Sequence, residues 1–199
     1  MGALEQEIAR AVRRAKSQPI RSIVDFAEQE LRIPGGSKYS GERLNMDRQP
    51  VQRLLLDELA RGYWLDVIVA APSQSAKTYI AFDAPIAYHA FELREDIVVG
   101  IPNADMVNDK WLKEIKPIFE ASPKLRKLLP TEGPGSKGGR VRDSVRRTNR
   151  AWLRFFTAGG SDQSQPGFTA RHGITTEAAG MSTSVAANHE AALNAQKQS

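Results

Sequence analysis

The chain has 199 residues, of which 41% are hydrophobic and 26% are charged, a length and composition typical of a single globular domain. It contains no cysteine, which excludes disulfides and thiolate metal sites, and its three histidines are too few for a histidine-rich metal site. Because no apolar run approaches the roughly 18 residues of a membrane-spanning helix, and the first residues lack the pattern of a secretion signal, we expect a cytoplasmic protein with no membrane partner.

The first sixty residues are predicted to be helical with one intervening loop. Residues 1–18 suit an amphipathic helix or a partly ordered arm, and Ser22 caps a helix that ends near Leu31. The Pro, Gly and Ser content of residues 33–41 indicates a loop. Pro50 begins the next helix. The predicted apolar stripe of that helix consists of Val51, Leu54, Leu55 and Leu59.

From residue 64 onward the pattern changes to strands that alternate with helices. Short apolar runs predict strands at 64–70, 96–101, 151–156 and 171–176. Helices are predicted between them at 77–91 and 104–120. This alternation predicts an α/β fold with a mainly parallel sheet flanked by helices, preceded by a small helical extension.

Positive charge is concentrated in one part of the chain. The net charge is +5, and the stretch from Lys124 to Arg154 carries ten lysines and arginines against two acidic residues, Glu132 and Asp143. A cluster of this kind favours polyanions such as nucleic acid. A solvated basic loop would show the same pattern, so charge alone leaves both interpretations open.

A variant phosphate-binding loop follows the first predicted strand. Residues 71–78 read Ala-Pro-Ser-Gln-Ser-Ala-Lys-Thr, which has the spacing G-x-x-x-x-G-K-[ST] with alanine at both glycine positions. Its place between a strand and a helix lets backbone N–H groups and the helix dipole face a phosphate. Lys77 would reach the β- and γ-phosphates of a nucleotide, and the Thr78 hydroxyl would help to hold Mg²⁺. Outside that context, the same residues would be a helix start with a surface lysine.

Two further features fit an ATPase. Glu177 follows the last predicted strand and is a candidate general base that positions the attacking water. Thr176 stands where an Asp would normally hold the metal ion, and its hydroxyl is a weak, neutral substitute. Upstream, Gln52 is a candidate contact to an adenine edge, because an amide offers both a donor and an acceptor. A surface or helix-capping glutamine is the alternative interpretation.

Taken in order, these segments resemble the ATPase region of the large terminase subunit of tailed phages, in particular the lambda-type family. The resemblance begins near residues 22–28 and rests further on residues 43–56, the variant phosphate loop, residues 98–118 and residues 176–181. It implies a P-loop NTPase-like fold and a motor that uses ATP and Mg²⁺ to move double-stranded DNA into a procapsid. The implied partners are a small terminase subunit and the portal, on which the motor works as a homo-oligomeric ring.

The resemblance also implies roles for individual residues. The phosphate loop is matched by Gln74, Ser75, Ala76, Lys77 and Thr78. Lys77 and Glu177 are the implied catalytic residues, Thr176 a weak metal ligand and Gln52 an adenine contact. The chain lacks the basic residue that many terminases carry near the start of the loop. An arginine supplied in trans by a neighbouring subunit is therefore expected, with the candidates Arg140, Arg142, Arg146 and Arg147.

The predicted organisation is a helical extension at 1–45, a P-loop ATPase domain at 46–181 and a polar tail at 182–199. The chain ends shortly after Glu177, before any nuclease carboxylates, so we expect a fragment or a truncated gene product. Two other interpretations stay open. One is a helicase-type ATPase, which shares these motifs, and the other is a truncated, non-catalytic DNA-binding remnant of a terminase.

Overall fold

Helices and strands alternate along the part of the chain that the structure describes. The computed structural model describes residues 19–63, 67–72, 76–129, 144–146, 152–157 and 172–176. The helices within these ranges are α1 (Ile23–Glu30), α2 (Pro50–Ala60), α3 (77–93) and α4 (104–121). The strands are β1 (Ile97–Ile101), β2 (Ser144–Arg146), β3 (Trp152–Thr157) and β4 (His172–Thr175). None of the helices in this described part combines the length and the apolar character needed to cross a bilayer.

The sheet is mainly parallel, with β1 between two parallel neighbours. The strand order is β2-β3-β1-β4. Ile97 of β1 pairs with Leu153 of β3 on one side and with His172 of β4 on the other. β2 is an antiparallel strand beside β3. Within the described residues, this arrangement confirms the predicted α/β fold with a mainly parallel sheet.

The central position of β1 explains its continuous apolar sequence. Ile97, Val99 and Ile101 point to one face of the sheet and are fully buried. On the other face Gly100 is buried and Val98 is half-buried, so both faces of the strand are covered. A strand of a parallel sheet that is covered on both faces requires apolar residues at nearly every position.

α3 and α4 each pass a proline without breaking. In α3 a wide, π-helical turn spans Tyr79–Asp83 and is followed by Pro85. In α4 a similar turn spans Lys110–Ile115 and is followed by Pro117. Proline has no N–H, and its ring clashes with the carbonyl one turn earlier, so a widened turn absorbs the misfit. Both helices therefore form close to the predicted ranges despite their internal prolines.

α1 is capped as predicted and packs on α3. The Ser22 hydroxyl accepts a 3.0 Å hydrogen bond from the Asp25 N–H, which satisfies one of the free donors at the helix start. The Phe26 ring is completely buried, and its centroid lies 5.5 Å from that of Tyr88 in α3. Burying a side chain of this size contributes about 1.5–3 kcal/mol.

Charged side chains join α1 to α3 beside this aromatic contact. The Arg21 guanidinium lies 2.6 Å from carboxylate oxygens of both Glu30 and Glu92. Lys124, after α4, makes a second 2.6 Å ion pair with Glu30. Hydrogen bonds from Arg21 hold the pKa of Glu92 below its usual range, and bonds from Lys124 and Arg21 outweigh the desolvation of Glu30 and lower its pKa as well.

α2 begins at Pro50, as predicted, but buries a different face. Leu56 is fully buried, and Leu55 and Leu59 pack against the core. Val51 and Leu54 are exposed, at 75% and 59%, so the predicted stripe is wrong at these two positions. Burial is concentrated in the second half of the helix, which leaves its first turn at the surface.

The strand predicted at 64–70 is not formed over the residues that the structure describes. Residues 67–72 have no regular secondary structure, and Ile68 is 93% exposed. The run is apolar and β-branched, but a strand also needs a hydrogen-bonded neighbour. No strand of the described sheet pairs with it.

Candidate functional site

The backbone turns sharply at Ala76, immediately before α3. Ala76 has a φ of 59°, in the left-handed region that residues other than glycine seldom adopt. Its carbonyl accepts a 3.0 Å backbone hydrogen bond from Ile80 of α3. This conformation costs an alanine roughly 1–2 kcal/mol. Alanine thus takes up the backbone conformation that glycine adopts without steric cost, at the second glycine position of the loop pattern.

The Lys77 side chain reaches back across the loop that precedes α3. Its Nζ donates a 2.8 Å hydrogen bond to the backbone carbonyl of Ala71. The two residues are the first and seventh positions of the loop pattern, so this bond closes the loop on itself. Lys77 is exposed, and an oxygen of an incoming anion can therefore replace the carbonyl as acceptor.

α3 ends directly before β1. Only residues 94–96 join the two elements, and the Glu95 N–H bonds back to the His89 carbonyl at 3.0 Å. At the start of β4, His172 lies beside the same Glu95, with its Nε2 atom 3.2 Å from Oε2. The end of α3 therefore lies at the amino edge of the sheet, and Lys77 lies at the opposite end of the helix.

The first turn of α3 is anchored by Tyr79. Its hydroxyl donates a 3.2 Å hydrogen bond to the Arg32 carbonyl, and the Arg32 N–H donates in turn to the buried Ser122 hydroxyl after α4. Burial raises the pKa of the Tyr79 hydroxyl above its ordinary value, so the group stays protonated. The position of Lys77 is thereby tied to the segments that follow α1 and α4.

Two hydroxyls are available for a metal ion in this region. Thr78 is half-buried in the first turn of α3. Thr176 follows β4, and its N–H donates a 3.2 Å hydrogen bond to the Gly100 carbonyl, which extends the β1–β4 pairing to the carboxyl edge. Hydroxyl oxygens fit the preference of Mg²⁺ for oxygen ligands.

The two glutamines near the start of α2 differ in their hydrogen bonding. Gln52 is half-buried and already has an interaction partner. Gln49, which precedes Pro50, has a buried Oε1 atom with no hydrogen-bond partner in the described part of the chain. An unpaired buried acceptor is costly and marks a place where a ligand donor would be stabilised. The sequence predicted this role for Gln52 and not for Gln49.

Asp83 is a buried acid in α3 that sequence reasoning did not identify. Its side chain is 4% exposed, and Oδ1 has no hydrogen-bond partner among the described residues. Burial, and to a smaller extent the Glu114 carboxylate, raises its pKa to about 7 against the opposing effect of the Lys110 ammonium. The available signal was a single acid inside an otherwise apolar helical run, Tyr79–Tyr88.

Part of the basic stretch is engaged in structural contacts. Lys124 pairs with Glu30, and the Arg154 guanidinium lies 5.5 Å from the centroid of the Trp152 ring. Arg126 and Lys127 are exposed. The backbone of Arg146 lies in β2.

Several predicted site residues lie outside the described residues. They are Gln74 and Ser75 of the phosphate loop, the candidate base Glu177, and the arginines Arg140, Arg142 and Arg147. Their assignments stay predictions. Of the predicted residues that are described, Ala76, Lys77 and Thr78 are consecutive at the start of α3, and Thr176 lies at the carboxyl end of β4.

Comparisons with known proteins agree with the observed fold. The family model for the phage terminase large subunit gpA ATPase domain matches residues 39–197. The crystal structure of the HK97 bacteriophage large terminase is similar, with a TM-score of 0.58 and 13% sequence identity over 80% of this chain. The chain spans 31% of the length of that structure. At this identity the likeness shows the fold alone, and it supports the P-loop NTPase-like class. No curated protein sequence matches the chain.

Proposed function

Because the chain belongs to the family of phage terminase large subunit ATPase domains, we propose that it hydrolyses ATP to move double-stranded DNA into a procapsid. The observation that carries the proposal is the loop before α3. Its backbone turns left-handed at Ala76, and the next residue, Lys77, spans the loop to Ala71. These are the conformation and the side chain that a phosphate-binding loop requires.

We assign phosphate binding to the loop and to the start of α3. In this assignment Gln74, Ser75 and Ala76 would bind the phosphates through backbone N–H groups, and Lys77 contributes the charge that stabilises the transition state. Thr78 is the protein ligand for Mg²⁺, with Thr176 as a weaker candidate. When bound, the ion neutralises charge on the β- and γ-phosphates.

We assign Glu177 as the residue that orients the attacking water. It directly follows Thr176, which lies at the carboxyl end of β4 beside Gly100. In an in-line displacement the water attacks the γ-phosphate from the side opposite to the leaving oxygen. A carboxylate that directly follows a strand of the sheet suits this role.

The adenine contact is proposed for the start of α2. The unpaired Gln49 Oε1 is buried, so we propose that its side chain turns outward when nucleotide binds and accepts a hydrogen bond from the exocyclic amino group of adenine. Gln52, three residues further along, is the alternative. Guanine carries a carbonyl oxygen in place of that amino group, so an acceptor here would favour ATP over GTP.

The remaining assignments concern partners. DNA contact is proposed for the basic stretch, through phosphates and without reading of the sequence. A homo-oligomeric ring on the portal, joined by a small terminase subunit, would allow Arg140, Arg142, Arg146 or Arg147 to act on the γ-phosphate of a neighbouring subunit. The proposed division is an extension at 1–45, an ATPase domain at 46–181 and a tail at 182–199.

The test is binding of a fluorescent ATP analogue in the presence of Mg²⁺. Replacing Lys77 with Ala removes a charge-assisted hydrogen bond and should weaken binding by about 10- to 100-fold. The matched control is Lys113→Ala on α4, where an exposed lysine pairs with exposed Asp109 and the expected change is within about twofold. A well-folded natural chain that binds no analogue would contradict the proposal and favour the non-catalytic DNA-binding remnant. Strand unwinding without a procapsid would favour the helicase-type ATPase.

A further inference from the structure

Two histidines and a glutamate meet at the amino edge of the sheet, opposite to Lys77. His89 lies in the last turns of α3, Glu95 in the link to β1, and His172 is the first residue of β4. The ring atoms His89 Nδ1 and His172 Nε2 lie 3.1 Å and 3.2 Å from the same oxygen, Oε2 of Glu95. All three atoms lie within 4.8 Å of one another. Three separate elements thus direct one potential metal ligand each to a common point.

The backbone fixes Glu95 in this position. Arg94 ends α3 in the left-handed region, with a φ of 59°, and the Glu95 N–H returns to the His89 carbonyl at 3.0 Å. The neighbouring Asp96 accepts a 2.7 Å hydrogen bond from the Trp152 N–H at the start of β3. Two consecutive carboxylates therefore hold the first residues of the two strands that flank β1. The position of Glu95 is therefore fixed by the hydrogen bond of its own N–H to His89 and by the hydrogen bond of the neighbouring Asp96 to Trp152.

The positions of the two ring nitrogens match coordination of one ion. Both rings direct a nitrogen to the same carboxylate oxygen, while the ring centroids, 3.6 Å apart, are in stacking contact. Ligands at zinc bond lengths of 2.0–2.1 Å in a tetrahedron lie ~3.3 Å from one another, close to the two nitrogen–oxygen distances found here. Hydrogen bonds could give the same distances, but only with a proton on each of the two facing nitrogens.

We propose that His89, Glu95 and His172 form a binding site for a divalent transition-metal ion of the zinc type. Two imidazole nitrogens and one carboxylate oxygen suit Zn²⁺, whereas Mg²⁺ prefers an all-oxygen shell. The side chains of His89 and Glu95 are 14% and 17% exposed, and that of His172 is 40% exposed. The ion therefore enters from the His172 side, where water completes its coordination.

This site is separate from the proposed nucleotide site. Twelve residues of α3 separate His89 from Lys77, which corresponds to about 18 Å along a helix. The ion joins the end of α3 to the start of β4, and β4 leads to Thr176 and Glu177. A metal at this edge holds in place the strand that precedes the proposed catalytic glutamate, and its binding requires neither ATP nor Mg²⁺.

The first experiment measures Zn²⁺ binding to the tag-free full chain by calorimetry, with metal content determined after dialysis. One zinc ion per chain is expected, in the presence of excess Mg²⁺ and without nucleotide. His172→Ala and Glu95→Gln should each weaken binding by at least about tenfold. Glu95→Gln keeps a hydrogen-bond acceptor and the side-chain shape, so it separates metal binding from hydrogen bonding. His189→Ala replaces the remaining histidine and is the matched control, with binding expected to be unchanged.

A second experiment needs no variant. The chain has three histidines, so paramagnetic Co²⁺ should broaden the ring-proton signals of two imidazoles in an NMR titration and leave those of the third sharp.

Circular dichroism establishes that each variant used for calorimetry is folded. The proposal is overturned if the folded natural chain binds no zinc, if all three imidazole signals respond alike, or if folded His172→Ala and Glu95→Gln bind zinc as tightly as the natural chain. None of these outcomes depends on ATP hydrolysis.

Discussion

The Lys77 ammonium is hydrogen-bonded to the Ala71 carbonyl across the loop that turns at Ala76. A nucleotide phosphate entering this loop would exchange a neutral carbonyl for a charged oxygen as the acceptor. The bond from the ammonium to the carbonyl is already charge-assisted, and an ionised acceptor adds Coulombic attraction to it. The exchange therefore favours the bound state, with a phosphate oxygen in place of the Ala71 carbonyl.

The left-handed backbone at Ala76 predicts that glycine would improve the loop. Ala76→Gly removes the steric cost of a φ of 59° and should stabilise the fold by up to about 1 kcal/mol, since part of the gain is offset by the greater freedom of glycine in the unfolded chain. Affinity for the ATP analogue should stay the same or rise. Urea denaturation and analogue binding measure the two effects.

Gly62 provides the matched control for this substitution. It also has a left-handed φ of 64°, and an added Cβ would meet no atom within 4 Å. Gly62→Ala should therefore cost about 1 kcal/mol through backbone strain alone, with no change in nucleotide affinity. A loss of stability in Ala76→Gly would mean that the left-handed backbone at Ala76 does not strain the folded chain.

Replacing Glu177 with Gln should separate binding from turnover. The amide keeps the shape of the side chain but accepts a proton poorly, so analogue binding should persist while the ATPase rate falls by roughly 100-fold or more. Phosphate release under saturating ATP and Mg²⁺ is the measurement. Full turnover by this variant would remove Glu177 from the mechanism, whereas loss of binding would point to a structural role.

Gln49 and Gln52, at the start of α2, are competing candidates for the adenine contact, and their substitution should affect base selection differently. If the unpaired Gln49 oxygen accepts from adenine, Gln49→Ala should reduce the preference for ATP over GTP by about tenfold, the equivalent of one hydrogen bond. Gln52→Ala should then leave the preference unchanged. The reverse result in competition binding would restore Gln52 as the adenine contact.

Asp83 predicts a specific dependence of stability on pH. Its pKa of about 7 in the folded chain lies above the ordinary value of 3.8, so between these values the folded chain holds a proton that the unfolded chain releases. Its contribution to stability is therefore complete below about pH 4 and is lost as the pH rises to about 7. Tyr79, Lys110 and Glu114 are the neighbouring ionisable groups.

Asp83→Asn removes this titration and is the corresponding test. The variant should match the natural chain near pH 4 and exceed it at pH 8, by on the order of 2 kcal/mol. Asp109→Asn, an exposed acid on α4 paired with Lys113, should show no such trend. Urea denaturation at several pH values gives the comparison, and a constant difference across the range would mean that Asp83 does not titrate there.

Features set by one residue and its near neighbours could be predicted from the sequence. Ser22 and Pro50 marked helix starts because capping and the fixed φ of proline act locally. The strands around Val99 and Leu153 followed from short apolar runs. The assignment of Lys77 to a phosphate loop rested on its spacing together with the strand predicted at 64–70, and it stays a prediction.

Features that depend on partners distant in the chain could not be predicted. The run containing Ile68 has strand propensity, but whether it pairs is decided by the rest of the sheet. The unpaired state of Gln49 follows from packing at the start of α2. Three histidines seemed too few for a metal site, because only the fold brings His89 and His172 to one carboxylate.

The Arg21 ion pairs and the buried Phe26 have a practical consequence for the limits of the folding unit. The family match begins at residue 39, but the packed core of the described residues already includes the segment 21–31. A gene fragment cut to the matched region would uncover the rings of Tyr88 and Phe91 and leave the Glu92 carboxylate without its guanidinium. Such a fragment should aggregate on expression, because the region matched by the family leaves out part of the packed core.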